Sequence, residues 1–558
     1  MRWTTHARGL LPRAADWTPV RTTWRPDLVA GLTVGIVALP LALAFGVSSG
    51  VGAAAGLVTA IVAGAIAAIF GGSNVQVSGP TGAMVVILAP IVATHGVGAV
   101  ALLSLMAGAI VLAAGVLGLG RSVALIPWPV VEGFTLGIAV IIFLQQVPMA
   151  TGTEVTAGQN TAVAAWQALG RSQWPTVAWT VGLVLIVAAI VLLLGRWRPN
   201  LPGSLVAVVV ATVIAEAAGL DIPRIGALPN SLPAPTLPGA DWAMTQSLLV
   251  PALAVAALAA IESLLSARVA AGMADTGPYQ PDRELVGQGL ASIGSGLFGG
   301  MPATGAIART AVAVRSGAKT RMASLLHAVF LLGVVYFAAR LVSVVPLAAL
   351  AGVLMVTAAR MSDRRQVSSI LRSTRSDALA FAATAVITVA FDLIVAIVIG
   401  VAMAVLFALR NLARQSGVRR LPTSEPPVDG DEHIAVFQLS GAMFFGASER
   451  VLEEVQAVSG VHVVILRWEL VRMLDASGAK ALLEMVTGLQ TRGKTVLISG
   501  IAEDFHQLID TVGVPGSLRH QRHLFTDYPD ALAHARDHVR RERAGTGPAP
   551  DGDEPTTT

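Results

Sequence analysis

The sequence predicts a polytopic α-helical membrane protein of about 14 spans, built as a 7+7 inverted repeat with two half-helices meeting mid-membrane, plus a small cytoplasmic α/β domain. Three observations predict it. The chain of 558 residues is 54% hydrophobic and only 13% charged, and its mean hydropathy of +0.70 lies well outside the range of a soluble globular protein. A pattern of Phe-Gly-Gly followed by Pro and Thr-Gly occurs at Phe70–Gly82 and again at Phe298–Gly305. After Arg414 the composition becomes ordinary, and apolar runs alternate between strand and helix periods.

In chain order, residues 1–27 carry Arg2, Arg8, Arg13, Arg21 and Arg25 but no short apolar run with a small-residue cleavage site, so no removable signal peptide is expected. A span needs roughly 20 apolar residues, fewer where it is broken or buried in protein. By that measure the segments are 28–47, 52–70, 80–94, 97–119, 126–147, 175–195, 201–219, 247–270, 285–298, 304–315, 322–341, 344–358, 377–391 and 393–412, making 28–412 a transmembrane domain. With the N-terminus inside, the inside loops hold Arg121, Arg196, Arg198, Arg283, Arg315, Lys319, Arg321, Arg360, Arg364, Arg365, Arg372 and Arg375. The outside loops hold only Arg171, Arg224 and Arg340. Both termini are therefore expected in the cytoplasm.

The two breaks fall just before the third segment of each half. "SNVQVSG" at 73–79 alternates valine with polar residues and reads as a short extended strand, and "GPTGAMVVILAP" then opens a helix with Pro80 near its first turn. Extended backbone at bilayer depth is tolerated only where it is buried or lines a polar cavity. Two half-helices would point unpaired N–H groups and roughly half a positive charge each at the middle of the protein. That is an anion site.

The tail reads as strand "HIAVFQL", helix "ASERVLEEVQAV", strand "VHVVILRW", helix "SGAKALLEMVTGLQ", strand "KTVLIS", helix "EDFHQLIDTVG" and a last basic helix near 530–542. Residues 413–430 read as a linker, 431–543 as the folded domain and 544–558 as a disordered tail without apolar residues.

These stretches resemble the sulfate permease (SulP) family of anion transporters. The carrying residues are "LPLALAFGVSSGVGAAAGLVTA" (39–60), "VSGPTGAM" (77–84), "IESLLSARVA" (261–270), "ELVGQGLASIGSGLFGGMPATGAIART" (284–310) and, in the tail, "LDASGAK" (474–480), and the likeness covers roughly 25–540. The resemblance implies a core of spans 1–4 and 8–11, a gate of spans 5–7 and 12–14, and a substrate held between the third and tenth half-helices. It also implies elevator-type alternating access, a cytoplasmic STAS domain at 431–543, a homodimer and a multi-pass place in a bacterial inner membrane.

Arg309 matches the arginine that family members commonly carry in the tenth segment, one to two turns in. A charge at midplane costs about 2.5 kcal/mol or more, so it is read either as attracting the anion or as a structural partner of a carboxylate such as Glu262. Glu262 and Ser266 share one face of the eighth span. Resembling sodium-coupled members have an aspartate and a hydroxyl there, and a further hydroxyl where this chain has Ile307. That loss favours proton over sodium coupling, with Glu262 as the titrating group. Phe45 matches an aromatic position near the anion, and Leu41 stands where many relatives have glutamine. Thr81, Gly82, Thr304, Gly305 and Ala306 form the half-helix starts, where small residues admit a ligand to the backbone and threonines cap or coordinate. Glu132 and Glu216 read as interface or structural carboxylates, and His327 as an ordinary interfacial histidine. Ser477 occupies the position that bacterial STAS regulators phosphorylate, and also reads as the N-cap of a helix beginning at Gly478.

Function follows from the same residues. With no cysteine there is no disulfide framework and no thiolate chemistry, and the basic residues lie beside spans rather than in a stripe interleaved with aromatics, which argues against nucleic acid. No nucleophile with a partnered base, metal-ligand cluster or phosphate loop stands out, so neither an enzyme nor a bound cofactor is expected. The reading is a secondary active transporter of one small anion, with a C4-dicarboxylate narrowly preferred over bicarbonate or sulfate. An anion-binding membrane sensor acting through the STAS domain is the alternative of another class.

Overall fold

Each of the fourteen apolar segments coincides with a helix, because backbone groups removed from water must find partners within their own segment. The computed structural model describes residues 9–121, 127–153, 161–198, 201–239, 241–273, 277–361, 363–390, 393–423, 426, 428–444 and 448–544. Apart from Ala544, the expected disordered tail at 544–558 lies outside the described residues, as do Arg2 and Arg8. The chain divides into two compact units, Met1–Ala402 and Met403–Thr558.

In the first unit the elements are α1 (Val20–Ser48), α2 (Ala53–Phe70), β1 (Ser78–Gly79), α3 (Gly82–His95), α4 (Gly98–Val116), α5 (Trp128–Gln145), α6 (Val147–Thr151), α7 (Thr161–Arg171), α8 (Thr176–Trp197) and α9 (Gly203–Ala217). They continue as α10 (Trp242–Met273), α11 (Pro281–Leu297), β2 (Thr304–Gly305), α12 (Ile307–Arg315), α13 (Arg321–Ser343), α14 (Leu347–Met361), α15 (Arg364–Leu371) and α16 (Arg375–Ala390), and α17 (Leu393–Gln415) runs through the division. Among the described residues, α1, α2, α4, α8, α10, α13 and the stretch Trp128–Thr151 are long and apolar enough to cross a membrane. Three of the short helices, α6, α7 and α15, were not among the segments read from hydropathy, because none carries a long apolar run.

Helix α1 starts at Val20, inside the N-terminal segment read as 1–27. It can do so because the buried carboxylate of Asp27 accepts from Lys319 N, Thr320 N, Thr320 Oγ1 and Thr23 Oγ1 at 2.6–3.0 Å. Helix α11 packs along α4 and α2, and α13 along α1 and α2, whereas α16 packs along α5, and α14 along α8.

The two breaks meet. β1 and β2 pair antiparallel, Ser78 with Gly305 and Gly79 with Thr304, and an antiparallel crossing is what two oppositely oriented copies of one motif require. The extended stretch is shorter than the reading of 73–79: only Ser78 and Gly79 are strand, although residues 75–80 are all buried. Pro80 also lies outside its helix. Thr81 is still extended (φ −127°, ψ 162°) and is the N-cap of α3, since the pairing carries the chain past Gly79 before it can coil.

The second unit is a five-stranded sheet in the order β3 (Gly417–Leu421), β4 (Ile434–Met443), β5 (Val463–Leu474), β6 (Thr495–Ser499), β7 (Leu524–Phe525), antiparallel between β3 and β4 and parallel elsewhere. Its first strand lies within the stretch read as linker, which corrects that boundary. The basic pair Arg419 and Arg420 hid it, because a half-exposed edge strand lacks an apolar run. Ala435, Phe437 and Leu439 face a core shared with α18 (Ser448–Gln456), α19 (Ala476–Thr491) and α20 (Glu503–Val512), and Ile434 and Val436 face α21 (Tyr528–Arg543) through Ala531, Ala535 and Val539. Strands buried on both faces read as the continuous apolar runs seen in the sequence.

Candidate functional site

Backbone geometry at the crossing dictates which residues approach. Gly79 backs onto the Arg309 guanidinium: a Cβ there would lie 2.7 Å from Arg309 Nη1. Gly305 is equally crowded, for a Cβ would strike the side-chain amide of Gln76. Only glycine at these paired positions lets the two chains and the cation share the space.

Arg309 is in the first turn of α12, not one to two turns in as its distance from Thr304 suggested. The strand consumes Thr304 and Gly305, Ala306 becomes the N-cap, and the helix starts at Ile307. The guanidinium is buried, donates from Nη2 to the carbonyl oxygen of Pro80 at 2.5 Å, and leaves Nη1 without a protein partner. It therefore reaches from one half-helix to the start of the other. No carboxylate forms an ion pair with it among the described residues, so the reading of Arg309 as a direct structural partner of Glu262 does not hold at contact distance.

Glu262 instead accepts a hydrogen bond from Thr81 Oγ1 at 2.9 Å, tying α10 to the N-cap of α3. Neither threonine caps its own helix. Thr304 Oγ1 donates to Ala259 O (3.2 Å) and lies 2.9 Å from Ser263 Oγ, which also accepts from Gly305 N at 3.0 Å. Ser266 shares a helix face with Glu262 but donates to Thr310 Oγ1 at 3.1 Å, and Thr310 Oγ1 in turn accepts from Val77 N. Phe45 closes one side: a Cβ on Gly82 would lie 3.3 Å from Phe45 Cε1.

The structure thus gathers Phe45, Thr81, Gly82, Thr304, Gly305, Ala306, Arg309, Glu262 and Ser266 around one crossing. Thr304, Gly305, Ala306, Arg309 and Ser266 are buried, whereas Thr81 and Glu262 are half-buried and Ile307 is 42% exposed. The accessible edge is accordingly the one bearing the carboxylate, the threonine hydroxyl and an isoleucine. Leu41 is buried on the same helix as Phe45.

Sequence reasoning missed Ser263, Thr310 and the polar network behind β1. Glu284 accepts from Gly72 N, Ser73 N, Gln76 Nε2 and Gln288 Nε2 at 2.8–3.0 Å, and Gln288 Nε2 also donates to Ser78 Oγ. The signal was present as polar residues within "IESLLS", "ART" and "ELVGQG", but residue type alone did not reveal their partners. His327 is a correction. It is completely buried, with neither ring nitrogen hydrogen-bonded, and lies next to Gly64 rather than at an interface, because α13 turns that face toward α1 and α2. Glu216 pairs with Arg224, and Glu132 accepts from Trp128 Nε1 at 3.2 Å, both away from the crossing.

In the second unit Asp475, not Ser477, is the N-cap of α19: its Oδ1 accepts from Gly478 N at 2.8 Å. The helix begins at Ala476, so Ser477 is an exposed first-turn residue. Among the described residues no three His, Cys, Asp or Glu side chains gather as they would to hold a metal.

A model of the sulfate permease family matches residues 24–384, and one of the STAS domain matches residues 425–531. The chain is 33% identical over 526 residues to YvdB of Bacillus subtilis, a protein whose name places it provisionally among sulfate transporters, covering 91% of this chain and 97% of that one. It is 32% identical over 497 residues to the bicarbonate transporter BicA of Synechocystis sp., covering 85% and 88%. The solved structure of SLC26A9 superposes with a TM-score of 0.82 over 98% of this chain and 96% of that one, at 18% identity, a likeness of fold.

Proposed function

The chain is an anion transporter of the sulfate permease family, and from that premise we propose that it binds one small anion at the crossing of the α3 and α12 N-termini and carries it by elevator-type alternating access. The observation that carries this reading is the buried Arg309 guanidinium, bonded through Nη2 to Pro80 O and with Nη1 unpaired. Two helix N-termini add partial positive charge at the same place. The separate packing of α11 with α2 and α4, and of α16 with α5, supports a moving core of spans 1–4 and 8–11 against a gate of spans 5–7 and 12–14.

Proton coupling through Glu262 is favoured over sodium. The hydroxyls of Thr81, Ser263 and Ser266 are engaged with three different partners rather than presented jointly to a cation that prefers several oxygens, and Ile307 supplies none. As to substrate, one guanidinium balances one charge, which favours the monoanion bicarbonate over sulfate, a dianion. A C4-dicarboxylate, preferred from the sequence, requires a second anchor. The protein acts as a homodimer of a bacterial inner membrane, termini in the cytoplasm, and Ser477 is exposed for regulation.

Uptake of bicarbonate, sulfate and C4-dicarboxylates into proteoliposomes, under imposed proton or sodium gradients, tests this. Accumulation driven by protons alone is expected. Drive by sodium alone overturns the coupling, and anion binding without flux in sealed vesicles indicates the sensor. Arg309→Ala should weaken uptake by roughly 10- to 100-fold, the loss of hydrogen bonding to a charged group, and unchanged uptake removes it from the site.

A further inference from the structure

The loop between α14 and α16 contains α15, "RRQVSSIL", eight residues with charge on one side and apolar groups on another. Beside it runs an open groove of about 600 Å³. Its apolar wall is formed by Leu136 of α5, Ala359 of α14, and Val367 and Leu371 of α15, and Arg364 and Arg372 stand at its two ends with Ser368 between them. Positions 364, 367, 368, 371 and 372 recur at helical spacing, so a single face of α15 lines the groove. Arg365 is not among the residues that line it.

The two arginines are exposed and make no ion pair among the described residues. Nearby carboxylates are engaged locally. Asp363 Oδ1 accepts from Arg365 N at 2.8 Å, Glu132 accepts from Trp128 Nε1, and Asp377 accepts from Thr374 Oγ1 at 2.8 Å. Two guanidinium groups without an ion pair among the described residues thus flank an apolar trough between the middle of α5 and the C-terminal end of α14, both helices of the apolar bundle, and α5 opens a stretch long enough to span. Arg364 and Arg372 lie in the connection beyond the end of α14, where headgroups are met, and a basic pocket between transmembrane helices is suited to an anionic one.

We propose that this groove binds the phosphodiester headgroup of an anionic phospholipid, with Arg364 and Arg372 on its phosphate and the Leu136, Ala359, Val367 and Leu371 wall along the first methylenes of its acyl chains. A soluble phosphate has no use for that wall. The site is separate from the anion crossing and does not depend on it.

The test is native mass spectrometry of the full chain in detergent, titrated with phosphatidylglycerol or phosphatidylcholine of equal chain length. Phosphatidylglycerol should be retained in preference. Arg364→Ala and Arg372→Ala should each weaken its retention about fivefold, and the pair roughly thirtyfold, with phosphatidylcholine unaffected. Arg365→Ala should leave both lipids unchanged, and a double lysine variant should recover part of the loss. Equal retention of the two lipids, or unchanged phosphatidylglycerol retention in each single variant, overturns the proposal. So does an equal loss in Arg365→Ala, which would mean diffuse charge, or displacement of the lipid by inorganic phosphate at the same concentration, which would mean a soluble-anion site.

Discussion

Arg309 and Glu262 are both ionisable, both close to the crossing, and bound to different partners: Pro80 O for one and Thr81 Oγ1 for the other. That division gives them separable roles. Glu262→Gln keeps the shape of the side chain and can still accept from Thr81, so under proton coupling it should abolish gradient-driven accumulation while anion exchange at equilibrium continues. Counterflow against net uptake, measured on one preparation, distinguishes the two, and loss of both together would make Glu262 part of the anion site itself. The cap of α19 offers a second contrast at this scale. Asp475→Ala should destabilise the second unit by about 0.5–2 kcal/mol. Ser477→Ala, an exposed change, should stay within about 0.5 kcal/mol, as read from denaturant midpoints.

The element that holds the crossing in place is the segment 72–79, and Glu284 of α11 fastens it. One carboxylate takes two backbone N–H groups and two side-chain amides, all buried. Glu284→Ala leaves Gly72 N, Ser73 N and Gln76 Nε2 without their acceptor, while Gln288 Nε2 keeps Ser78 Oγ, and at about 1–3 kcal/mol for each unsatisfied group even partial relaxation should cost roughly 3–6 kcal/mol. The expected result is a clear drop in the melting temperature of the membrane unit, with Glu284→Gln intermediate because it keeps the acceptor oxygen. A melt identical to that of the unaltered protein would mean that α2 and α11 hold the segment without the clamp.

On the scale of the whole molecule, two units of different composition should answer pH differently. In the second unit, burial and the neighbouring His534, His520 and His538 rings, with Arg519, push the His523 imidazole down to about 4 from an ordinary 6.5. Its Nδ1 has no hydrogen-bond partner, consistent with a neutral ring. The folded pKa lies below the unfolded one, so the unfolded chain binds more protons between them. Stability is therefore complete above about pH 6.5 and is lost as pH falls toward 4, by on the order of 2–3 kcal/mol. Calorimetry between pH 7.5 and 5 should show the transition of the second unit moving down, and His523→Gln should flatten that shift. A transition that stays put in the unaltered protein would argue against a buried neutral His523.

Much of this was legible in the sequence. Apolar runs marked a helix at each of the fourteen segments, Phe-Gly-Gly with Pro and Thr-Gly marked both breaks, and strand and helix periods marked most of the second unit, because each is a local property of neighbouring residues. The edge strand Gly417–Leu421 escaped, since half its side chains face water and its arginines mimic a linker. Partners were decided only by the tertiary structure. Nothing within a few residues of Arg309 says that it bonds Pro80, 229 positions away, or that Ser266 takes Thr310, or that His327 is buried beside Gly64. The Arg309 contact follows from the antiparallel pairing of Ser78–Gly79 with Thr304–Gly305, and the burial of His327 from the packing of α13 on α1 and α2. The sequence by itself determined where the chain breaks and which charges lie near the breaks, and the tertiary structure decided what those charges touch, because hydrogen bonds are chosen by distance in space and not by distance along the chain.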